Sequence, residues 1–531
     1  MSAQVFRAVR LDRHSGSLAK RIFWTSWIVT WLLAVLWSIA TPISASPDEP
    51  AHIIRAASVV RGEFIGPSSA HGNIVTVPKY IAWTNIETCY AFKAATTASC
   101  AKPVPGDSAK LVETTTSAGL YNPVYYLTVG WPSLIFPSDV GIYAMRIMSA
   151  LVTTLFLALS FMMVSRWRRP GLPILSLAVV ATPMLLFLAG AVNPNAVEAT
   201  ATLCVFIAML SLTTQSDTRA LGQRAAILAA SAMFAVNARG LSLLWVAVAL
   251  ALPLFLTSWK EVWGLLRNRH IIFATLGIGI ASAFAAVWLL LTNLLTTAVT
   301  TSTALNDYPG IGDSFGKGFL SMVNQTFAFA AQMIGLFGWM DTPAPSGVVV
   351  IWTVLIGGLL LATMTFVRGR RLRVFVALLA LSILLPSVVQ AEYITAGGFI
   401  WQGRYDLPLF ACLLMAAAAF LSALVDRVPR YVVQRTIWII LILTGVGQAY
   451  SYAFVLKRYA TGIQSSWPQF IAHAKWQAPG ANLVLLALFC VVFACGSYAI
   501  WRSAHQSPGD LDPTRTARSS AIDDQRHDLN K

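Results

Sequence analysis

Along the whole chain, long apolar runs alternate with short polar connections. The runs fall at 22–41, 141–164, 172–191, 196–212, 224–236, 241–257, 271–291, 348–367, 374–389, 405–425, 436–455 and 482–501. A helix needs about 20 apolar residues to cross a bilayer core of ~30 Å, and only a helix or a closed barrel satisfies its own backbone there. The pattern predicts an all-α, polytopic transmembrane helix bundle of about twelve spans, the fifth of them short.

Basic clusters occupy every second connection. Arg7, Arg10, Arg13, Lys20 and Arg21 precede the first run. Arg166/Arg168/Arg169, Arg219/Arg224, Lys260/Arg267/Arg269, Arg368/Arg370/Arg371/Arg373 and Arg427/Arg430/Arg435 follow at alternate connections. Lys and Arg collect on the cytoplasmic side of membrane proteins, so both termini are expected in the cytoplasm. The first run lacks a small-residue cleavage signature and is expected to be retained. Residues 1–21 then form a cytoplasmic segment, 22–503 the transmembrane domain, and 504–531, polar and aperiodic, a disordered cytoplasmic tail. The outer side receives a large first loop, 42–140, expected to carry interfacial helices, and the segments 292–347, 390–403 and 456–481.

Composition agrees. Of 531 residues, 56% are hydrophobic and 11% charged, and the mean hydropathy of +0.66 excludes a soluble protein. The net charge of +16 would suit nucleic acid, but the basic residues sit between apolar runs and not on one folded face, so no nucleic-acid partner is expected. Cys204, Cys412, Cys490 and Cys495 lie inside apolar runs as packing residues. Cys89 and Cys100 share the first outer loop, where a disulfide is expected in an oxidising exterior; a pair is not a metal-ligand cluster. No internal repeat and no matched pair of broken helices is evident.

Chemistry concentrates just after the first run, in Ser46-Pro47-Asp48-Glu49-Pro50-Ala51-His52-Ile53-Ile54-Arg55. A helix starting with Asp48 as N-cap and Pro50 in its first turn places Asp48, His52 and Arg55 on one face. Capping accounts for one acid or both, but not for the imidazole and guanidinium that follow. Further on, Tyr121-Asn122-Pro123-Val124-Tyr125-Tyr126 reads as an interfacial anchor or as a platform for a sugar ring. Arg146, Glu198 after Asn193-Pro194-Asn195, Arg239 and Glu392 stand near outer helix ends, where ionisable groups pair or line a cavity; for Arg146 and Arg239 the plainer reading is snorkelling. In Gln402-Gly403-Arg404-Tyr405-Asp406, Arg404 sits at the N-terminal end of a helix, as Arg239 does before another. A cation is disfavoured at a positive helix end unless an anion is bound: Glu392 or Asp406 from the protein, or a phosphate. Gly310-Ile311-Gly312-Asp313-Ser314-Phe315-Gly316-Lys317-Gly318 misses the phosphate-loop spacing by one residue, and Asn324-Gln325-Thr326 is a weak glycosylation match.

Together, Pro47-Asp48-Glu49-Pro50-Ala51-His52, Tyr121-Asn122-Pro123-Val124-Tyr125-Tyr126, Asn193-Pro194-Asn195, Gly338-Trp339-Met340-Asp341-Thr342-Pro343 and Gln402-Gly403-Arg404-Tyr405 resemble the bacterial membrane proteins grouped as domain-of-unknown-function family 2142. That family resembles the GT-C superfamily of integral membrane glycosyltransferases, whose hallmark is an acidic motif in the first outer loop. The resemblance implies a GT-C-like fold in a bacterial plasma membrane, with the active site on the extracytoplasmic face. It also implies a polyprenyl-phosphate-sugar donor and a cell-envelope glycan or lipid-linked acceptor. Here the two acids are adjacent, without the spacer of a D-x-D motif.

Transfer from a polyprenyl phosphate needs a base for the acceptor hydroxyl and cations for the departing phosphate. Asp48 is the expected base. Glu49 would orient the acceptor or hold a divalent cation, Mg or Mn, together with Asp48 and His52. Arg404, with Arg55 or Arg239, would hold the phosphate. Gln402, Tyr405, Tyr121, Asn122, Tyr125, Asn193, Glu198 and Asp341 are the other expected substrate-binding residues. A single displacement implies inversion at the anomeric carbon. The competing classes are a transporter or flippase of a lipid-linked saccharide and a non-catalytic envelope-assembly protein; the oligomeric state is open.

Overall fold

The structure, a computed structural model, describes residues 3–86, 88–215, 220–293 and 308–505, with side chains between residues 17 and 502. Arg219, the stretch 294–307 and the tail from residue 506 lie outside the described residues, as do the side chains of Arg7, Arg10 and Arg13.

Each of the twelve apolar runs is helical. In order they are α1 (Ala3–Ala40), then, beyond the first loop with its α2 (Glu49–Val59) and α3 (Pro123–Gly130), α4 (Asp139–Ser165), α5 (Gly171–Val180) with α6 (Pro183–Ala189), and α7 (Pro194–Thr214). There follow α8 (Leu221–Ala235), α9 (Ser242–Leu256), α10 (Arg269–Thr292), α11 (Ser346–Phe366), α12 (Arg370–Gly397), α13 (Leu407–Leu421), α14 (Arg430–Thr461) and α15 (Asn482–His505). Nine helices are long and apolar enough to cross a membrane, and the pair α5/α6 brings the number to ten among the described residues. That pair bends by 66° where Pro183 opens α6 and Thr182 caps it, accepting from Leu185 N–H. The runs read as the fifth and sixth spans, α8 and α9, are shorter apolar helices.

Burial sets the layers. The most apolar window of α7 is 89% buried and that of α15 only 11%, so α7 is the central post and α15 faces the surroundings. α1 lies along α4, where Trp27 and Trp31 donate to the Leu151 and Ile147 carbonyls (3.2 and 3.4 Å). Trp37 closes the loop end of α1 against Phe187, Phe337, Tyr452 and Phe489.

The first loop carries more than helices. An antiparallel sheet of β1 (Ser68–Ser69), β2 (Gly72–Pro78) and β3 (Leu111–Thr116) packs on α2, with Ile74 opposite Thr115 and with Asn73, Val75 and Val77 turned inward. The alternation in Asn73-Ile74-Val75-Thr76-Val77 is a strand signature that helical periodicity does not reveal. Cys89 and Cys100 form the expected disulfide, Cα–Cα 6.2 Å. A short hairpin, β4 (Leu336–Phe337) and β5 (Thr342–Pro343), precedes α11.

A fully buried ion pair joins loop to bundle. Glu49, opening α2, and Arg146, on α4, are both fully buried. Arg146 Nε and Nη2 donate to the two Glu49 oxygens (2.7 and 2.6 Å), and the remaining N–H groups donate to the Ser38, Thr41 and Pro42 carbonyls (2.8–2.9 Å). All five guanidinium donors are engaged. Removing one partner strands the other charge in the interior, at a cost of about 3–5 kcal/mol. Arg146→Leu or Glu49→Leu is therefore expected to lower the melting temperature in detergent sharply, and the double replacement to recover only the part due to the stranded charge, because the Ser38, Thr41 and Pro42 carbonyls still lose their donors.

Candidate active site

Between α1 and α2 the chain runs without helix from Thr41 to Asp48, where backbone carbonyls need partners from elsewhere. Each has one. Arg146 serves Thr41 and Pro42, Tyr90 Oη serves Ile43, Trp339 Nε1 serves Ser44 (2.9 Å) and Tyr459 Oη serves Ala45 (3.3 Å). The Glu49 N–H serves Ser46, Asn193 Nδ2 serves Pro47 (3.0 Å), and the His52 N–H serves Asp48. The loop is thereby fixed from α4, the disulfide loop, the β4–β5 turn, α14 and the N-terminus of α7.

Asp48 is the N-cap, as the spacing implied, yet its side chain caps nothing. Its backbone is left-handed (φ 60°), a conformation that Asp tolerates better than most residues. The carboxylate turns instead to Arg404, 2.5 Å from Nη2. Protein surrounds Asp48, but half of its side-chain surface stays accessible, so it lines a recess. Burial alone would raise its pKa; the neighbouring guanidinium charges, Arg404 first, outweigh burial and hold it below the ordinary value.

Arg404 is 3% exposed, in a short turn (Gly403–Tyr405) before α13. Its Nε and Nη1 are buried without a hydrogen-bond partner among the described residues. The Gln402 Oε1 is also buried and unpartnered. Arg239 approaches the same place: its guanidinium lies 4.4 Å from the Tyr405 ring centroid, that of Arg404 5.3 Å. Arg239 donates to Asn195 Oδ1 and contacts Glu198 at 3.5 Å. Glu198 also accepts from Ser242 Oγ at 2.7 Å. His52 stands beside Tyr121 (ring centroids 5.8 Å apart), and its Nδ1 bonds Tyr126 Oη at 2.8 Å. Asp48, His52, Tyr121, Glu198, Arg239, Arg404 and Tyr405 thus share one neighbourhood.

Other expected residues lie elsewhere. Glu49 is locked to Arg146 and also accepts from the Val192 N–H (3.1 Å), so none of its oxygens faces the recess. Arg55, fully buried, donates to the Phe64 and Tyr121 carbonyls (2.7 and 2.6 Å) and supports the loop, not an anion beside Asp48. Asn122 caps α3 and donates to Asn237, Tyr125 bonds Ser149, and Asn193 caps α7 while holding Pro47. Asp341 pairs with Arg458 at 2.7 Å. Of the anions considered for Arg404, Glu392 is exposed, and Asp406 turns to Trp401 Nε1 (3.1 and 3.2 Å), with burial pushing its carboxyl up to about 8. The anion at Arg404 is Asp48.

The three groups expected to hold a divalent cation do not meet. Glu49 is occupied by Arg146 and His52 Nδ1 by Tyr126, which leaves the Asp48 carboxylate and His52 Nε2 as the open donors of the three. Among the described residues no three His, Cys, Asp or Glu side chains come together. The three residues therefore do not assemble a preformed Mg or Mn site. Sequence reasoning missed the fixing roles of Tyr90, Trp339, Arg458 and Tyr459; of the readings left open for Arg146, pairing or snorkelling, the structure shows pairing. Lys457-Arg458 at the loop end of an apolar helix, against the usual charge bias, was the available signal.

Residues 31–414 match the model of the family described as Predicted membrane protein (DUF2142), and the chain belongs to that family. No curated protein matches it by sequence. Among solved structures it is similar to ArnT from Cupriavidus metallidurans in the apo state, at 14% identity over 92% of this chain and 78% of that one, TM-score 0.44. The same protein bound to undecaprenyl phosphate is similar at 14% over 91% and 76%, TM-score 0.45. The Archaeoglobus fulgidus oligosaccharyltransferase, in complex with Zn and sulfate, is similar at 14% over 86% and 58%, TM-score 0.36.

The buried imidazole has a measurable consequence. Burial, with Asp48 only partly opposing it, pushes His52 from 6.5 down to about 3. Between those values the unfolded chain binds a proton that the folded one does not, so stability falls as pH drops, by at most ~1.4 kcal/mol per pH unit. Melting temperatures between pH 6.5 and 4.5, a window above the Asp48 titration, are expected to fall less steeply for His52→Gln than for the unaltered protein.

Proposed function

We propose that the protein is an integral membrane glycosyltransferase that moves a sugar from a polyprenyl phosphate to a hydroxyl of an envelope glycan or lipid-linked acceptor. In this reading the site faces the outside of a bacterial plasma membrane and both termini lie in the cytoplasm, in keeping with the basic clusters. The observation that carries it is the Arg404 side chain: buried, joined to Asp48 through one nitrogen, and left with two unpartnered donors. Orphaned buried donors at a positive helix end call for a further anion, and a phosphate matches guanidinium geometry.

Each residue then has a task. Asp48, kept ionised, takes the proton from the acceptor hydroxyl as that oxygen attacks the anomeric carbon. The bond from that carbon to the phosphate oxygen breaks, and the polyprenyl phosphate leaves with the electron pair. Arg404 and Arg239, both near the Tyr405 ring, neutralise the leaving charge, and Arg404 Nη2 also donates to Tyr405 Oη (3.4 Å). Glu198, Asn195 and Ser242 hold Arg239 in place. Glu49 takes no part in the chemistry and anchors the loop. One displacement gives inversion.

Transport is the weaker alternative. A single bent pair, α5/α6, has no counterpart of its kind among the described helices, whereas carriers use matched broken helices. With purified protein in detergent, sugar transfer from labelled polyprenyl-phosphate sugar to added envelope glycans is expected without any sealed compartment, and its absence would return the transport reading. Asp48→Asn is expected to lower the transfer rate by two or more orders of magnitude, the upper range for loss of a general base, ~10²–10⁴. Arg404→Ala is expected to weaken polyprenyl phosphate binding at least tenfold, as read by titration in nanodiscs.

A further inference from the structure

The donor-side groups come from α7, the α8–α9 connection and the turn before α13. A second set of residues reaches the Thr41–Asp48 loop from other elements: the disulfide loop, the β4–β5 turn and α14. In this set Phe92 and Met340 hold left-handed backbone, φ 58° and 61°, and expose apolar side chains, 66% and 40%. For bulky residues that conformation costs about 1–3 kcal/mol. Exposing the side chain recovers none of it, so folding explains neither residue. The Phe92 ring lies 5.3 Å from that of Trp339, tilted by 57°.

The base under these rings is rigid. Arg458, 1% exposed at the end of α14, donates to the Tyr90, Lys93 and Thr96 carbonyls and to Thr342 Oγ1 and the Asp341 carboxylate. One guanidinium thus clamps the two segments that carry Phe92 and Met340, and the Cys89–Cys100 bond closes the first of them. Trp339 Nε1 is hydrogen-bonded to Ser44, four residues before Asp48, so that contact and Asp48 are no more than ~14 Å apart along the chain. At 32 residues α14 is about 48 Å long, more than a hydrocarbon core of ~30 Å requires, and Arg458 lies in its last turn.

We propose that Phe92, Trp339 and Met340 form the acceptor platform: the apolar face of a sugar ring in an oligosaccharide acceptor stacks on them while a hydroxyl a few rings away reaches Asp48. This rests on the glycosyltransferase reading and gives its acceptor a chemical class, a carbohydrate chain of more than one residue. Aromatic rings suit the apolar face of a sugar, and a rigid, strained presentation removes the ordering cost from binding.

The test uses the full chain in nanodiscs and a panel of neutral oligosaccharides of two to five hexose residues in gluco, galacto and manno series, with binding followed by tryptophan fluorescence. Saturable binding of at least one series is expected, weakened fivefold or more by Phe92→Gly. Because glycine relieves the left-handed strain, the melting temperature of Phe92→Gly is expected to hold or rise, which separates lost recognition from lost folding. Polyprenyl phosphate titrations of the unaltered protein and of Arg404→Ala read the donor side on its own, so failure there and failure of the platform are read separately. Absence of binding across the panel, or binding that survives Phe92→Gly, overturns the platform. So does a change, in that variant, of contact with spin-labelled lipid alone, which would make Phe92 a membrane anchor.

Discussion

Non-helical backbone beside a membrane must find its hydrogen-bond partners within the protein, and the Thr41–Asp48 segment does so around one buried ion pair, Glu49 with Arg146. The guanidinium does two jobs at once. It neutralises the carboxylate that opens α2, and its spare donors close the last carbonyls of α1 and the first of the loop. Without it, the start of α2 and the end of α1 would have no common reference, and the orientation of Asp48 would be set only by weaker contacts.

This explains how two adjacent acids part company. Asp48 has left-handed backbone and Glu49 is the first helical residue, so one peptide unit sends the two carboxylates in different directions. Glu49 goes inward to a saturated cation and is lost to chemistry. Asp48 goes to the recess, to an arginine with donors to spare. A spacer between acids puts two carboxylates on one side; adjacency across a helix start divides them between structure and recess, which is why the cation-binding set read from the sequence does not assemble.

Much of the fold was legible, because apolar length and basic alternation are local properties and each of the twelve runs is helical. The gathering of Asp48, Arg239 and Arg404 was approachable for a similar reason: a cation at a positive helix end is a local anomaly that needs a distant anion. What could not be read was which anion. Arg146 and Arg404 both stand near helix ends, and only the tertiary structure assigns Glu49 to the first and Asp48 to the second. Arg55 shares the face of His52 but reaches carbonyls of the loop folding back over α2, a contact nine and 66 residues away in sequence. The β1–β3 sheet went unread because its alternation lies inside a loop judged only by apolar length.

The pairing of Asp48 with Arg404 also bears on the order of events in the proposed reaction. In the unliganded protein the base and the phosphate clamp neutralise each other, and an acceptor hydroxyl would meet a carboxylate already engaged. A phosphate offers two oxygens to a guanidinium where Asp48 takes a single hydrogen bond, and Arg404 has unpartnered nitrogens to receive them. In the proposed scheme, binding of the donor draws Arg404 charge toward the phosphate and weakens its hold on Asp48 Oδ2, which makes the carboxylate a stronger base for the acceptor proton. The loop itself need not move, since its carbonyls are held by groups that touch neither substrate in this scheme, Trp339 excepted. In this proposed scheme the electrostatics of the Asp48–Arg404 pair favour donor before acceptor.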